Sequence, residues 1–184
     1  QKSGMVHALD PDTGKLLWQT RVGRGGIQGG VHFGMASANG RLFVPVTDMD
    51  DGRSYAHPAR PGVHALDIAT GKALWYAPVT DVCNGRPACH PGYSQAISEA
   101  GGLVYAGGMD GMLRVYDAQT GAQKFAFDTT ESFVTVSGGR TSGGSFGGAA
   151  GPLVVNGTVY ISSGYGIYNH MAGNLMMALR PQPQ

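Results

Sequence analysis

The chain has 184 residues and almost no net charge, because 13 Lys and Arg residues stand against 12 Asp and Glu residues. Charged residues make up 14% of the chain, and glycine fills 31 positions. This balance gives no electrostatic basis for binding nucleic acid or a membrane surface. The apolar runs, such as 175–179, are far too short to cross a bilayer, so we expect no membrane span.

A strand, turn and strand pattern is repeated along the chain. Segment 8–18 reads ALDPDTGKLLW, and segment 65–75 reads ALDIATGKALW. A degraded copy at 115–125 reads VYDAQTGAQKF, and a fourth begins at 178–180. The spacing of 57 and then 50 residues between copies is too long for a helical repeat and is typical of a propeller blade.

Each copy contains the residues that a tight reversal between two strands needs. Glycine takes a positive φ angle without steric cost, and an Asp side chain accepts hydrogen bonds from the amides of the turn. The glycines of the three copies are Gly14, Gly71 and Gly121. Each copy ends in a large aromatic residue, which we expect to be largely buried between neighbouring sheets. These aromatic residues are Trp18, Trp75 and Phe125.

The pattern as a whole predicts an all-β protein made of β-propeller blades with four antiparallel strands each. We predict thirteen strands: two in the first unit, four in each of the next two, and three in the last. The units lie at approximately 4–21, 33–79, 93–129 and 149–180. About three blades do not close a ring, so the chain 1–184 is expected to form an arc of a larger propeller.

Two cysteines, Cys83 and Cys89, lie close together in the connection between the second and third units. Five residues separate them, which matches neither a Cys-x-x-Cys metal or redox pair nor a haem attachment motif, although His90 follows the second cysteine. We therefore favour a disulfide over metal or haem ligation. A disulfide indicates an oxidising compartment such as the periplasm.

The connections between units are long enough to carry function. The glycine-rich segment 22–36 is not a phosphate-binding loop, because Gln28 occupies the place of the third glycine and no helical pattern follows. Loop 47–62 contains Asp48 and Asp50, which fit either a solvated acidic turn or a cation site completed by other loops. The aromatic and amide residues of loop 164–174 either line a pocket or cover the blade as an ordered surface loop.

The repeated Ala-x-Asp-x-x-Thr-Gly-x-x-x-Trp units resemble the tryptophan-docking motifs of quinoprotein dehydrogenases. Proteins of that family are eight-bladed propellers that hold pyrroloquinoline quinone on the ring axis. The loops at 29–36, 58–62 and 163–166, together with the cysteine loop, resemble the polyvinyl alcohol dehydrogenase group. The resemblance covers nearly the whole chain and aligns it with the C-terminal part of the family's propeller.

This resemblance implies oxidation of a secondary alcohol to a carbonyl, with pyrroloquinoline quinone and calcium as cofactors and cytochrome c as electron acceptor. The chemistry of the side chains suggests Arg24 and Arg60 as partners of the quinone carboxylates. It also suggests Asp48 and Asp50 as catalytic base or cation ligands. Three further residues are expected to line the cofactor pocket: His32, Phe33 and Tyr165.

Two other interpretations remain open at this stage. The same repeats occur in non-catalytic propellers of bacterial envelopes, so the chain could be a scaffold or a subunit that binds other proteins. If the enzymatic interpretation holds, a site on the ring axis needs loops from more blades than this chain has. We therefore expect the chain alone to be inactive, and we expect the remaining blades or another chain as a partner.

Overall fold

The computed structural model describes residues 1–181, which contain strands, turns and loops but no helix and therefore no helix that could cross a membrane. The fifteen strands are β1 (Met5–Leu9), β2 (Leu16–Arg21), β3 (Ala36–Ala38), β4 (Arg41–Val46), β5 (Gly62–Asp67), β6 (Ala73–Pro78), β7 (Ser98–Ala100), β8 (Leu103–Gly107), β9 (Met112–Asp117), β10 (Gln123–Asp128), β11 (Phe133–Val134), β12 (Arg140–Thr141), β13 (Leu153–Val155), β14 (Thr158–Ser163) and β15 (Leu175–Leu179).

The strands form antiparallel sheets in which chain neighbours are sheet neighbours. The first sheet contains β1 and β2, the second β3 to β6, the third β7 to β10, and the fourth β13 to β15. These are the predicted groups of two, four, four and three. The predicted count of thirteen is wrong because β11 and β12 form an additional hairpin in the connection 129–152. Strands of two residues are too short to show an alternating pattern in sequence.

The Asp-Thr-Gly turns have the local chemistry that the sequence predicts. In the second sheet, Asp67 Oδ1 accepts hydrogen bonds from the backbone N–H of Thr70 at 2.8 Å and from its hydroxyl at 2.7 Å. Gly71 has a φ of +70° and donates its N–H to the carbonyl of Asp67. The turns at Asp10 and Asp117 repeat the two side-chain bonds. These contacts are made within each turn itself.

Tryptophans join each of the first two sheets to the next one. Trp18 Nε1 donates to the carbonyl of Ile68 at 3.1 Å, and Trp75 Nε1 donates to the carbonyl of Ala118 at 3.2 Å. The two indoles pack on Gly71 and Gly121, where an added Cβ would lie 2.5 and 2.7 Å from the rings. Both tryptophans thus lie at sheet junctions as predicted, although each keeps part of its surface exposed.

The third aromatic residue of the series departs from the prediction. Phe125 is 47% exposed, so the expectation that it is largely buried is wrong. Phenylalanine has no N–H with which to bond a neighbouring turn. The turn that would receive it follows Leu179 in the fourth sheet, where residues 182–184 are outside the described part. Its ring instead stacks on Phe127, with the centroids 6.3 Å apart.

We predict that the two equivalent aromatic positions contribute unequally to stability. Trp75→Ala should lower the free energy of unfolding by about 3 kcal/mol, because it removes a large packed side chain and a hydrogen bond at a junction. Phe125→Ala should cost less than about 1 kcal/mol, because the ring is already half in water. Urea unfolding of the two variants measures the difference. Equal losses would contradict the docking interpretation.

Each junction between sheets has its own hydrophobic layer. The layer between the second and third sheets includes Phe43, Val63 and Tyr116, all buried. The layer between the first and second includes Val6 and Val44. A smaller layer joins the third and fourth: Leu113, Phe146 and Ile161. The propeller architecture therefore rests on face-to-face packing of neighbouring sheets.

The antiparallel strand order sorts the connections onto two ends of the sheets. Tight turns such as Asn39-Gly40 and Gly101-Gly102 lie at one end. The long connections and the short turn 108–111 lie at the other end, because each follows a strand that runs in the opposite direction. We call this end the loop face; its connections are 22–35, 47–61, 79–97, 108–111, 129–152 and 164–174.

Candidate functional site

A cavity of about 450 Å³ lies on the loop face. The connections that follow β2, β6 and β14 meet there, so loops that leave three different sheets line it. We call it the loop-face cavity, and its lining residues are Lys2, Ile27, Gln28, His32, Phe33, Ser94, Tyr165, Tyr168 and His170. It combines aromatic surface with a few polar groups, which is typical of small-molecule sites.

Three residues predicted from sequence lie together in this cavity: His32, Phe33 and Tyr165. His32 Nε2 donates to the carbonyl of Gly29 at 3.1 Å, which leaves Nδ1 to accept from the hydroxyl of Ser94 at 3.0 Å. Burial, together with the nearby charge of Lys2, lowers the pKa of His32 to about 4. His32 is therefore a neutral ring held in one orientation. Its role toward a cofactor stays a prediction.

Asp48 organises the backbone of two loops. It is 3% exposed and has a φ of +41°. Its Oδ2 accepts the backbone N–H of Arg24 at 2.6 Å and of Arg60 at 2.9 Å. Its Oδ1 accepts the N–H of Gly30 at 2.8 Å and of Gly25 at 3.2 Å. Asp48 is thus not the solvated turn residue that the sequence allowed, and its oxygens are already occupied by the chain.

The two predicted arginines are brought together through this carboxylate, but they do not line the loop-face cavity. The guanidinium of Arg24 lies 4.2 Å from the ring centroid of Tyr55 and donates to the carbonyl of Met49. The guanidinium of Arg60 is exposed and lies 4.8 Å from the ring centroid of Tyr76. Both positive charges are therefore positioned on aromatic rings at the loop face.

A cation site is not assembled by the described residues. Asp50 is exposed and accepts the backbone N–H of Gly52, as a turn residue does. Within residues 1–181 no group of three or more His, Cys, Asp or Glu side chains is placed to hold a metal ion. Because the oxygens of Asp48 accept backbone N–H groups, the described residues do not complete a calcium site by themselves. The assignment of Asp48 and Asp50 as base or cation ligands stays a prediction.

The disulfide predicted between Cys83 and Cys89 is confirmed, and both cysteines are buried. Its short loop supports the cavity wall. Arg86 Nη1 donates to the hydroxyl of Thr130 at 2.7 Å, and His90 Nε2 donates to the carbonyl of Asn169 at 3.2 Å. Asn169 directly precedes His170 of the cavity. The disulfide therefore contributes to the site indirectly, by anchoring a neighbouring loop.

A buried polar network lies behind the cavity. Asp110 is in the tight turn between β8 and β9 and pairs with Arg114 through two hydrogen bonds of 2.6 and 3.1 Å. The hydroxyl groups of Tyr93 and Tyr116 bond each other, and Tyr93 is next to the cavity residue Ser94. Burial raises the pKa of both tyrosines. Both pairs are closed to solvent.

Sequence reasoning missed six residues of the cavity: Lys2, Ile27, Gln28, Ser94, Tyr168 and His170. The composition of loop 164–174 did suggest a pocket, and Tyr168 and His170 lie in it. The sequence around Ser94 and Lys2 contains no comparable signal, because these positions become neighbours of the cavity through packing of distant loops.

We predict that the fold loses stability between about pH 6.5 and pH 4. His64 is buried, stacks on Tyr76 and donates to the carbonyl of Arg60. Burial lowers the pKa of His64 to about 4, as it does for His32. In this window the unfolded chain binds protons that the folded chain does not, so the free energy of unfolding falls as pH falls.

Urea unfolding across the pH window tests this prediction. His64→Phe keeps the ring stack. It should reduce the slope of the free energy of unfolding against pH by an amount that corresponds to at most about one proton. His57→Asn, at an exposed loop position, is the control and should leave the slope unchanged. The carboxylates of Asp10, Asp67 and Asp117 have lowered pKa values, so their contribution is lost only at lower pH. A slope that is unaffected by both substitutions would contradict the assignment to His64.

Antiparallel sheets joined by tryptophans that dock on Asp-Thr-Gly turns, with the long connections on one face, define a β-propeller. A family model described as outer membrane protein assembly factor BamB matches residues 2–144 and 48–175. The chain belongs to this family of quinoprotein-type propeller repeats.

Two curated relatives are polyvinylalcohol dehydrogenases. The protein from Sphingopyxis sp. (strain 113P3) is 39% identical over 170 residues, which cover 90% of this chain and 26% of that protein. The protein from Pseudomonas sp. is 39% identical over 180 residues, which cover 95% of this chain and 27% of that protein. The chain therefore spans about a quarter of the length of these relatives.

Solved structures show the same fold at lower identity. A europium-containing methanol dehydrogenase gives a TM-score of 0.64 at 20% identity and covers 96% of this chain and 36% of its own. Quinohemoprotein alcohol dehydrogenase from Comamonas testosteroni gives a TM-score of 0.55 at 22% identity, and the match covers 87% of this chain and 26% of that protein. BamB from Moraxella catarrhalis gives a TM-score of 0.55 at 19% identity, and the match covers 88% of this chain and 41% of that protein. At these identities the likeness concerns the fold alone.

Proposed function

We propose that this chain forms part of a pyrroloquinoline quinone-dependent alcohol dehydrogenase that oxidises a secondary alcohol to a carbonyl. The observation that carries the proposal is the 39% identity to two polyvinylalcohol dehydrogenases over nearly the whole chain. The matched stretch covers 90% and 95% of the chain and therefore includes the connections of the loop face. Passage of the electrons to a cytochrome c and a periplasmic location belong to the same proposal, and the confirmed disulfide is consistent with export.

In this proposal the loop face provides cationic side chains for one edge of the quinone. When bound, the quinone would accept the hydride equivalent from the alcohol, and its carboxylates need cationic partners. Arg60 has an exposed guanidinium with no hydrogen-bond partner for its side chain among residues 1–181, so it is available for such a carboxylate. Arg24 lies beside it because both backbones bond Asp48.

The cavity residues have complementary tasks in this proposal. Phe33 and Tyr165 would exclude water from the reacting groups, and neutral His32 would present a fixed polar edge. Asp48 is retained as a candidate base or cation ligand, although its present contacts give it a positioning task. Asp50 is retained in the same way. No step is assigned to calcium, because the described residues do not complete a site for it.

A chimera tests the proposal directly. The matching quarter of the Sphingopyxis polyvinylalcohol dehydrogenase is replaced by this chain, and quinone binding and turnover of a secondary alcohol are measured. We expect a folded chimera that binds quinone and turns over, whereas the isolated chain binds weakly and does not turn over. Arg60→Gln in the chimera should weaken quinone binding about tenfold, since it removes a charge-assisted contact.

The matched control is Arg53→Gln, another exposed arginine of the same loop. It should leave quinone binding unchanged. A folded chimera that binds no quinone would contradict the proposal. It would favour the second candidate function, a non-catalytic propeller that binds other proteins, which the match to the BamB description and structure supports.

A further inference from the structure

A second cavity lies at the junction between the third and fourth sheets, away from the loop face. Its volume is about 260 Å³, and its lining is mainly apolar. We call it the junction cavity, and its lining includes Tyr105, Leu113, Val115, Phe125, Val159 and Leu179. No residue that lines it in the described part of the chain also lines the loop-face cavity. The junction cavity is therefore a separate feature of the fold.

The same strand positions are filled at the preceding junction. The register of the sheets assigns each of these six residues a counterpart one sheet earlier in the chain. The counterparts form or contact the hydrophobic layer between the second and third sheets, and they are Phe43, Val63, Ala65, Trp75, Val104 and Tyr116. A set of positions that is closely packed at one junction is therefore open at the next.

The difference between the two junctions is an indole. Trp75 packs in its junction, with its ring centroid 5.9 Å from that of Phe43, and its Nε1 donates to the carbonyl of Ala118. Phe125 occupies the equivalent position but is 47% exposed, and its ring stacks on Phe127. The junction cavity thus lies where the missing tryptophan side chain would pack.

The acceptor that a docked indole uses has an equivalent here. Both tryptophans donate to the carbonyl of the residue that directly follows the Asp of a turn. In the fourth sheet Arg180 takes the place of that Asp, and Pro181 takes the place of the acceptor residue. Pro181 lines the junction cavity. Proline has no backbone N–H, so its main chain offers a carbonyl acceptor alone.

The charged groups of the lining do not call for a charged ligand. The ammonium of Lys124 lies 3.7 Å from the carboxylate of Asp117, and Arg180 Nε donates to the hydroxyl of Thr158 at 2.9 Å. Apolar cavities hold water poorly and accept small aromatic molecules. The junction cavity therefore favours an uncharged aromatic molecule with a single ring N–H.

We propose that the junction cavity binds a small bicyclic aromatic molecule of the indole class, which packs where the tryptophan side chain is missing and donates its N–H to the carbonyl of Pro181. The inference is independent of the proposed function, because no residue of the loop face takes part in it. It assigns a ligand site to the side of the sheets opposite the loop-face cavity.

The test is a titration of the chain with indole, read from the NMR signals of the side-chain methyl groups of Val115, Val159 and Leu179. Indene is the comparison ligand, because it has nearly the shape of indole but no N–H. We expect indole to shift these methyl signals and to bind about fivefold more tightly than indene, because only indole can donate a hydrogen bond.

Two tryptophan variants separate this cavity from other aromatic surfaces. Phe125→Trp supplies the junction with its own indole, which competes at high effective concentration and should weaken indole binding at least about tenfold. Leu17→Trp is the matched control, because it adds an indole at a 61% exposed position of β2 outside the cavity. It should leave indole binding unchanged.

Equal affinity for indole and indene would overturn the inference, as would indole binding that Phe125→Trp leaves unchanged. Shifts confined to residues of the loop-face cavity would also contradict it. Tighter binding of N-acetyltryptophanamide than of indole would assign the junction cavity to a tryptophan of a partner chain and would overturn the small-molecule assignment. If Phe125→Trp fails to fold by circular dichroism, the methyl shifts and the comparison of indole with indene in the unmodified chain still decide.

Discussion

Gly71→Ala should lower the free energy of unfolding by about 3 to 4 kcal/mol, well beyond the effect of the same substitution at Gly14. Both glycines have a φ near +70°, where any other residue is strained by about 1 to 2 kcal/mol. A Cβ at Gly14 meets no atom within 4 Å, whereas a Cβ at Gly71 would lie 2.5 Å from Trp18. The difference between the two variants therefore measures the displacement of the docked indole together with the Thr20 hydroxyl, which lies 2.8 Å from the same Cβ.

A double-mutant cycle makes the assignment specific. In a Trp18→Ala background the indole is absent and only Thr20 Oγ1 remains close to the added Cβ, at 2.8 Å, so Gly71→Ala should then cost much less and approach the cost of Gly14→Ala. Urea unfolding of the four proteins gives the coupling energy. Gly121→Ala with Trp75→Ala repeats the measurement at the next junction, where the Cβ would lie 2.7 Å from the ring. A coupling energy close to zero at both junctions would show that the tryptophans do not depend on these glycines.

Asp48→Ala is the second substitution with a large expected effect, a loss of about 3 to 5 kcal/mol. The carboxylate accepts four backbone N–H groups from two loops, and alanine leaves them without an acceptor in a buried place. Asp48→Asn keeps one acceptor oxygen and tolerates the positive φ, so it should cost about 2 kcal/mol. Thermal and urea unfolding measure both losses.

Asp50→Ala is the matched control in the same loop and should stay within about 0.5 kcal/mol, because Asp50 is exposed. The same experiment repeated with added calcium distinguishes a positioning residue from a cation ligand. We expect no calcium-dependent change in the isolated chain. A rise in stability with calcium that Asp48→Asn abolishes would make Asp48 a ligand and would contradict the positioning role.

Much of the fold was predictable because its signals are local. An Asp that accepts from its own turn and a glycine with positive φ are decided by residues within one hairpin, as the turn at Asp67 shows. The pairing of Cys83 with Cys89 is local for the same reason. The hairpin of β11 and β12 escaped prediction because two-residue strands have no readable period.

The site was predictable only in part, because its residues are neighbours through packing of separate sheets. His32, Phe33 and Tyr165 were chosen by the chemistry of their side chains, and they do lie in one cavity. Asp48 was identified as a chemical group, but its burial under four amides could not be predicted from an acidic loop sequence. The exposure of Phe125 likewise depends on a neighbouring turn rather than on its own strand.

The sequence by itself determined the all-β class, the repeated docking unit, the turn chemistry and the disulfide, since each depends on contacts within a short stretch of chain. The tertiary structure alone decided which loop residues meet. Ser94 bonds His32 across 62 positions of sequence, and His170 joins the same cavity from the fourth sheet. Such contacts depend on how successive sheets pack against one another, and therefore on the tryptophan junctions that set the position of every loop.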